Sequence, residues 1–174
     1  MSAHKPLEGV KVVELASFVA APTAGRMMAE MGADVIRVES TAGDPWRFYG
    51  ANCGLPITDE ENPLFDIYNL GKKDIQLNTK TPEGKEILFH LLDEADVFIT
   101  NNRLKSLVRS GLDYESLKDR FPKLIYGLVT GYGQTGPDVD APGYDGVAFF
   151  SRSGMLADMA EPSGYPASAP GCIG

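Results

Sequence analysis

Histidine and cysteine are scarce, two of each in 174 residues, and that scarcity excludes the chemistries that depend on them. Cys53 and Cys172 make no metal motif, and His4 lies in the N-terminal tail while His90 falls inside an expected helix. A zinc centre and a Ser-His-Asp hydrolase both lack parts, so no metal is expected. No apolar run reaches the roughly 18 residues of a membrane helix, and the start MSAHKPLEG lacks a signal-type hydrophobic core. The expectation is a cytoplasmic protein with reduced thiols and no membrane partner. Cations are few as well: 16 Lys and Arg against 24 Asp and Glu leave a net charge of −8. That balance argues against a nucleic-acid partner, although a local cluster of Lys and Arg can still hold an anionic small molecule. Glycine, finally, is missing where a dinucleotide would demand it. Ser17-Phe18-Val19-Ala20-Ala21-Pro22 has none of the Gly-x-Gly-x-x-Gly pattern that lets backbone approach a pyrophosphate, which discounts NAD and FAD.

What is present organises around Val10 to Glu39. Val12, Val13 and Leu15, then Val35, Ile36 and Val38, form short runs with apolar groups on both faces, as buried parallel strands do. Between them Pro22 suits a first helical position, Ala24, Met27, Met28 and Met31 follow at helical spacing, and Gly32 ends the helix. This order gives a right-handed strand-helix-strand unit whose ligand-binding edge is the segment leaving the first strand, residues 16–23.

Phe48 to Pro63 reads as an irregular stretch of the length used for functional or interface loops. Ile75 to Asn78 reads as a strand. Thr81 then caps, and Pro82 opens, a helix to Glu94 with the stripe Ile87, Leu88, Leu91, Leu92. Ala95–Thr100 and Leu124–Thr130 read as further strands. Between them come a basic turn, Leu104 to Ser110, stopped by Gly111, and a short helix capped by Asp113. The fold class is α/β: a Rossmann-like parallel sheet with helices on both faces. From Gly131 the texture is that of loops, Tyr144 to Phe150 opens one more helix, and residues 160–174 are rich in Pro and Gly.

Several ordered phrases carry a resemblance: Pro6-Leu7-x-Gly9-x-x-Val12, Ala21-Pro22, Gly32-Ala33-Asp34-Val35-Ile36-Arg37-Val38-Glu39, and Gly43-Asp44-Pro45-x-Arg47. Together they resemble the start of a family III CoA-transferase, and within that family the 2-hydroxyacyl branch. The resemblance implies that residues 1–174 are the N-terminal, CoA-binding part of a large α/β domain, in a protein that forms an interlocked homodimer. Coenzyme A is implied as a substrate, with an acyl-CoA and a carboxylic acid, here a 2-hydroxy acid, as the partners in the reaction.

By the same resemblance Arg109, before Gly111, matches a phosphate-contacting arginine, and Lys80 in Leu77-x-x-Lys80 a CoA-contacting lysine. Leu77 and Asn101 match positions lining the nucleotide and pantetheine, and Phe18, Ala20 and Asn102 are further CoA-binding candidates. Ser17 and Val19 fall on the acyl pocket. Apolar Phe18 and Val19 there suit a branched or aromatic acyl group, Asn102 stands where some relatives carry an aromatic, and Ser40 where some carry a cation. Read without the resemblance, exposed Lys and Arg are solvated groups, Leu77 is core and Asn101 caps the following helix.

The family's nucleophile is an aspartate that forms an anhydride with the acyl group and then a thioester with CoA. By the motif Ala169-Pro170-Gly171-Cys172-Ile173-Gly174 it is expected after Gly174, so the chain reads as a fragment without its nucleophile. Asp145, with Tyr144, is a supporting candidate, and Asp145 also reads as a helix-capping carboxylate. An acyl-CoA racemase sharing this region and a catalytically silent CoA-binding module are the competing readings.

Overall fold

The computed structural model describes residues 4–58, 60–162 and 164. The expected nucleophile motif at 169–174, Cys172 included, lies outside them. The chain divides into two compact units, Met1–Val129 and Thr130–Gly174.

The first unit is built on five parallel strands: β1 (Lys11–Leu15), β2 (Asp34–Glu39), β3 (Lys73–Gln76), β4 (Val97–Thr100) and β5 (Ile125–Leu128), in the order β3-β2-β1-β4-β5. Parallel neighbours need crossovers, and helices supply them. They are α1 (Ala20–Glu30), α2 (Trp46–Tyr49), α3 (Pro63–Asn69), α4 (Pro82–Asp93), α5 (Leu104–Ser110) and α6 (Tyr114–Leu117).

Residues on a strand alternate between faces, and β1 divides the core accordingly. Val13 and Leu15 join Phe98, Leu88 and Leu92 in one apolar cluster, while Val12 joins Val35, Ile99 and Ala21 in another. Glu14 and Arg37 are paired in register on the second face and are fully buried there. α1 passes directly above. A Cβ on Gly25 would stand 1.8 Å from Glu14 Oε2, so only glycine lets the helix sit this close to the carboxylate.

The expected strand-helix-strand unit is present with one shift: α1 starts at Ala20, which places Pro22 in the first turn and not at its first position. The first four helical N–H groups have no intrahelical partner, so proline is tolerated there too. β3 begins two residues earlier than expected, because Ile36 pairs with Lys73 and Glu39 with Gln76. Leu77 therefore follows the strand, its N–H donating to Glu39 O at 2.9 Å. The stretch from Phe48 is only partly irregular. It holds the end of α2, a 3₁₀ turn at Gly50–Cys53, and the approach to α3, where Asn62 accepts from Phe65 N with Pro63 at the first position.

In the second unit a π-helix, Gly146–Ser151, precedes α7 (Met155–Asp158). Gly131 and Gly143 touch backbone to backbone: a Cβ on either would lie 2.4 Å from the other's Cα.

Candidate functional site

In a parallel sheet the segments leaving the strands gather at one edge, and those leaving β1, β2, β3 and β4 are residues 16–19, 40–45, 77–80 and 101–103. Two side chains join the first of these to its neighbours. Asn101 Oδ1 accepts from Ser17 N at 3.0 Å and Asn101 Nδ2 donates to Ser17 O at 2.8 Å, so the amide pairs with the backbone as a peptide group would. Asp44 accepts from Phe18 N with both oxygens at 3.2 Å and from Trp46 N at 2.9 Å. The Trp46 ring lies 6.3 Å from that of Phe18 and stacks on Tyr49 at 4.6 Å, and its indole N–H donates to Leu64 O.

Behind these loops lies a buried set of charges. Arg37 Nη2 meets Asp44 Oδ2 and Arg37 Nη1 meets Glu39 Oε2, both at 2.5 Å, with Asp74 Oδ2 at 2.8 Å from Nη1. Arg47 binds Glu39 from the other side at 2.7 Å and also reaches Asp74 at 2.8 Å. Lys72 Nζ donates to Glu14 Oε2 and Pro22 O at 2.8 Å and to Asn69 Oδ1 at 3.1 Å. Glu14 Oε1 and Arg37 Nε face each other at 3.6 Å and neither has a hydrogen-bond partner. Their attraction is that of charges in a medium with little screening.

The ionisation behaviour follows from this burial. Desolvation pushes the carboxyls of Glu14 and Asp74 up and the Lys72 ammonium down. For Glu39 desolvation opposes ionisation, but the hydrogen bonds and charges of Arg47 and Arg37 outweigh it and hold the carboxyl at about 2. Arg37 is likewise desolvated, yet its surrounding carboxylates raise it further.

The structure thus brings Ser17 and Phe18 together with Asn101. Asn102, half-buried, donates its N–H to Thr100 Oγ1 at 3.2 Å. Asn101 does not cap α5, because Arg103 holds the N-cap position. Leu77 packs half-buried against the apolar cluster, and Lys80 stands exposed beyond it. Val19 is the N-cap of α1 and Ala20 its exposed first residue. Arg109 is exposed in the last turn of α5, about 10 Å of helix from the sheet edge. Tyr144 and Asp145 belong to the second unit, where Asp145 is the N-cap of the π-helix without a side-chain capping bond. Among the described residues no group of His, Cys, Asp and Glu is placed to hold a metal, and no helix is long and apolar enough to cross a membrane.

In the sequence Arg37, Glu39, Asp44 and Arg47 stand only as parts of a motif, and Glu14 has no evident role. The signal was available: Glu14 in VVEL and Arg37 in VIRVE interrupt strands that a sheet covered on both faces must bury.

Comparison with known proteins agrees with this fold. The model of CoA-transferase family III matches residues 7–174. The chain is 51% identical over 158 residues to cinnamoyl-CoA:phenyllactate CoA-transferase of Clostridium sporogenes, covering 91% of this chain and 38% of that protein. It is 45% identical over 162 residues to (R)-2-hydroxy-4-methylpentanoate CoA-transferase of Clostridioides difficile, covering 93% and 41%. A crystal structure of a CAIB/BAIF family protein from Brucella suis superposes with a TM-score of 0.85 at 40% identity, over 96% of this chain and 44% of that one. The chain therefore spans about two-fifths of the length of these curated relatives.

Proposed function

Because the chain belongs to CoA-transferase family III, we propose that it supplies the CoA-binding part of an enzyme that moves CoA from an acyl-CoA to a 2-hydroxy acid. The observation that carries this reading is the match of residues 7–174 to the family together with 51% identity to an enzyme named for phenyllactate. The sheet edge supports it: Ser17 and Phe18 are held in place by hydrogen bonds to Asn101 and Asp44.

In this reading Phe18, Ala20, Leu77, Lys80, Asn102 and Arg109 contact CoA, with Lys80 and Arg109 as the exposed cations for its phosphates. Ser17 and Val19 border the acyl group. Asn101, whose amide is spent on Ser17, serves CoA by holding that loop. An aspartate after Gly174 attacks the thioester carbonyl, the C–S bond breaks, and CoA leaves as thiolate from a mixed anhydride. The thiolate then attacks the aspartyl carbonyl, releases the acyl group as carboxylate, and leaves an aspartyl-CoA thioester. Attack by the 2-hydroxy acid's carboxylate and return of the thiolate complete the transfer. Two chains of the full-length protein associate as an interlocked dimer.

The test is direct. Full-length protein mixed with an aromatic or branched acyl-CoA and a 2-hydroxy acid should form the new acyl-CoA, followed by liquid chromatography, and hydroxylamine should trap the aspartyl-CoA thioester. No exchange and no trapped adduct across aromatic, branched and dicarboxylic donors overturns the reading.

A further inference from the structure

Phe18 is the non-glycine residue with a positive φ, 62°, among the described residues. A bulky side chain in the left-handed region is disfavoured by contact between Cβ and the backbone, and persists only where surroundings impose it. Ser17, on the sheet side, is pinned by both amide atoms of Asn101. The Phe18 N–H is taken by both oxygens of Asp44, a residue 2% exposed and itself fixed by Arg37 Nη2 at 2.5 Å. Glu39 Oε1 accepts from Asp44 N at 2.5 Å, so the acceptor is anchored at backbone as well as side chain.

With Ser17 immobile, a change of φ at Phe18 cannot be absorbed upstream. It turns Val19, whose carbonyl accepts from both Thr23 N and Thr23 Oγ1, and with it the first turn of α1. We propose that Asp44 is a positioning residue for CoA transfer: by fixing the Ser17–Phe18 peptide plane it prevents the flip that would take Phe18 out of the left-handed region, and so aims Val19 and Ala20 at the acyl-CoA. The proposal rests on the functional reading above, since it presumes that the β1–α1 segment meets the substrate. Asp44 touches no substrate. It acts through Phe18, and the buried Arg37, Glu39 and Arg47 act through Asp44.

The experiment uses the full-length protein and a cycle of Asp44→Asn, Phe18→Gly and the double variant. Asp44→Asn keeps the size of the side chain but replaces one acceptor oxygen by a donor. It should lower kcat/KM for acyl-CoA at least about tenfold while a cooperative melting transition remains, and amides of residues 17–21 should exchange hydrogen at least about tenfold faster with β1 unaffected. In the Phe18→Gly background, where either sign of φ is open, the same change should cost less than about threefold. If Asp44→Asn does not fold, Asp44→Glu, which keeps the charge beside Arg37 and displaces the acceptor, carries the same expectation. Activity within twofold of wild type, unchanged exchange, or equal losses in both backgrounds overturns the proposal. Absence of transfer by the wild-type protein instead overturns the functional reading, and exchange then still decides whether Asp44 holds Phe18.

Discussion

Under α4 the sheet presents Val13, Leu15 and Phe98 to Leu88 and Leu92, whereas under α1 the same strands present Glu14 and Arg37 to Gly25 and Lys72. The first face is held by apolar burial, which is non-directional and grows with area. The second contains four carboxylates, Glu14, Glu39, Asp44 and Asp74, against three cations, Arg37, Arg47 and Lys72. Desolvation consumes much of what such pairs gain, so the charged face adds little net stability over an apolar one. What it adds is direction: each bond fixes an angle, and the outermost bonds fix Phe18 and Trp46 at the sheet edge. Apolar clusters on both faces keep the protein folded, and the charges set into the second face fix where its loops point.

That contrast can be broken at several strengths. Arg37→Met strands Glu39, Asp44 and Glu14 without their shared partner and should cost about 4 kcal/mol in urea unfolding, the scale of removing one member of a buried ion pair. Leu88→Ala, on the apolar face, should cost about 3 kcal/mol through lost transfer energy and the cavity left behind, and should leave kcat/KM of the full-length protein unchanged below its melting temperature.

Acid separates the faces next. Glu39 sits at about 2 in the fold against an ordinary 4.5, so its contribution is complete above the ordinary value and is lost as pH falls from 4.5 towards 2. Glu14 and Asp74, raised by burial, work in the opposite sense and are relieved as they take up protons. Their relief is complete once pH has fallen to their ordinary values, so unfolding midpoints should still drop from pH 4.5 towards 2, and Glu39→Gln should flatten that drop. Thr100→Val, which removes the hydroxyl that donates to Leu15 O at 2.7 Å, should cost about 1 kcal/mol. Lys11→Ala, at the exposed pair with Glu94, should leave the melting temperature unmoved.

Much of the apolar face was legible in the residues, because its signal is local. Val12-Val13 and Phe98-Ile99 announce buried strands, and Leu88 with Leu92 announces a helix stripe. The carboxyl edge was legible too, since topology alone places Ser17 to Ala20 and Asn101 there. β3 was misplaced by two residues because the register with β2, not its own alternation, decides where pairing starts. α3 was missed because seven residues carry too little periodicity, although Asn62-Pro63 is a sound start signal. The clamps were out of reach for a different reason: Asp44 meets a backbone N–H 26 residues away and Asn101 one 84 residues away. Such a bond has no trace in the spacing of either partner.

The contact between Gly131 and Gly143 has a bearing on how this region can change. A loop cinched at its neck carries its own closure, so lengthening it between the two glycines costs only the slow logarithmic penalty of a longer ring. A methyl group at either neck position pries the ring open. Insertions within this noose should therefore be tolerated where they spare Tyr132 and Asp138, which meet Arg152, provided the knot stays bare.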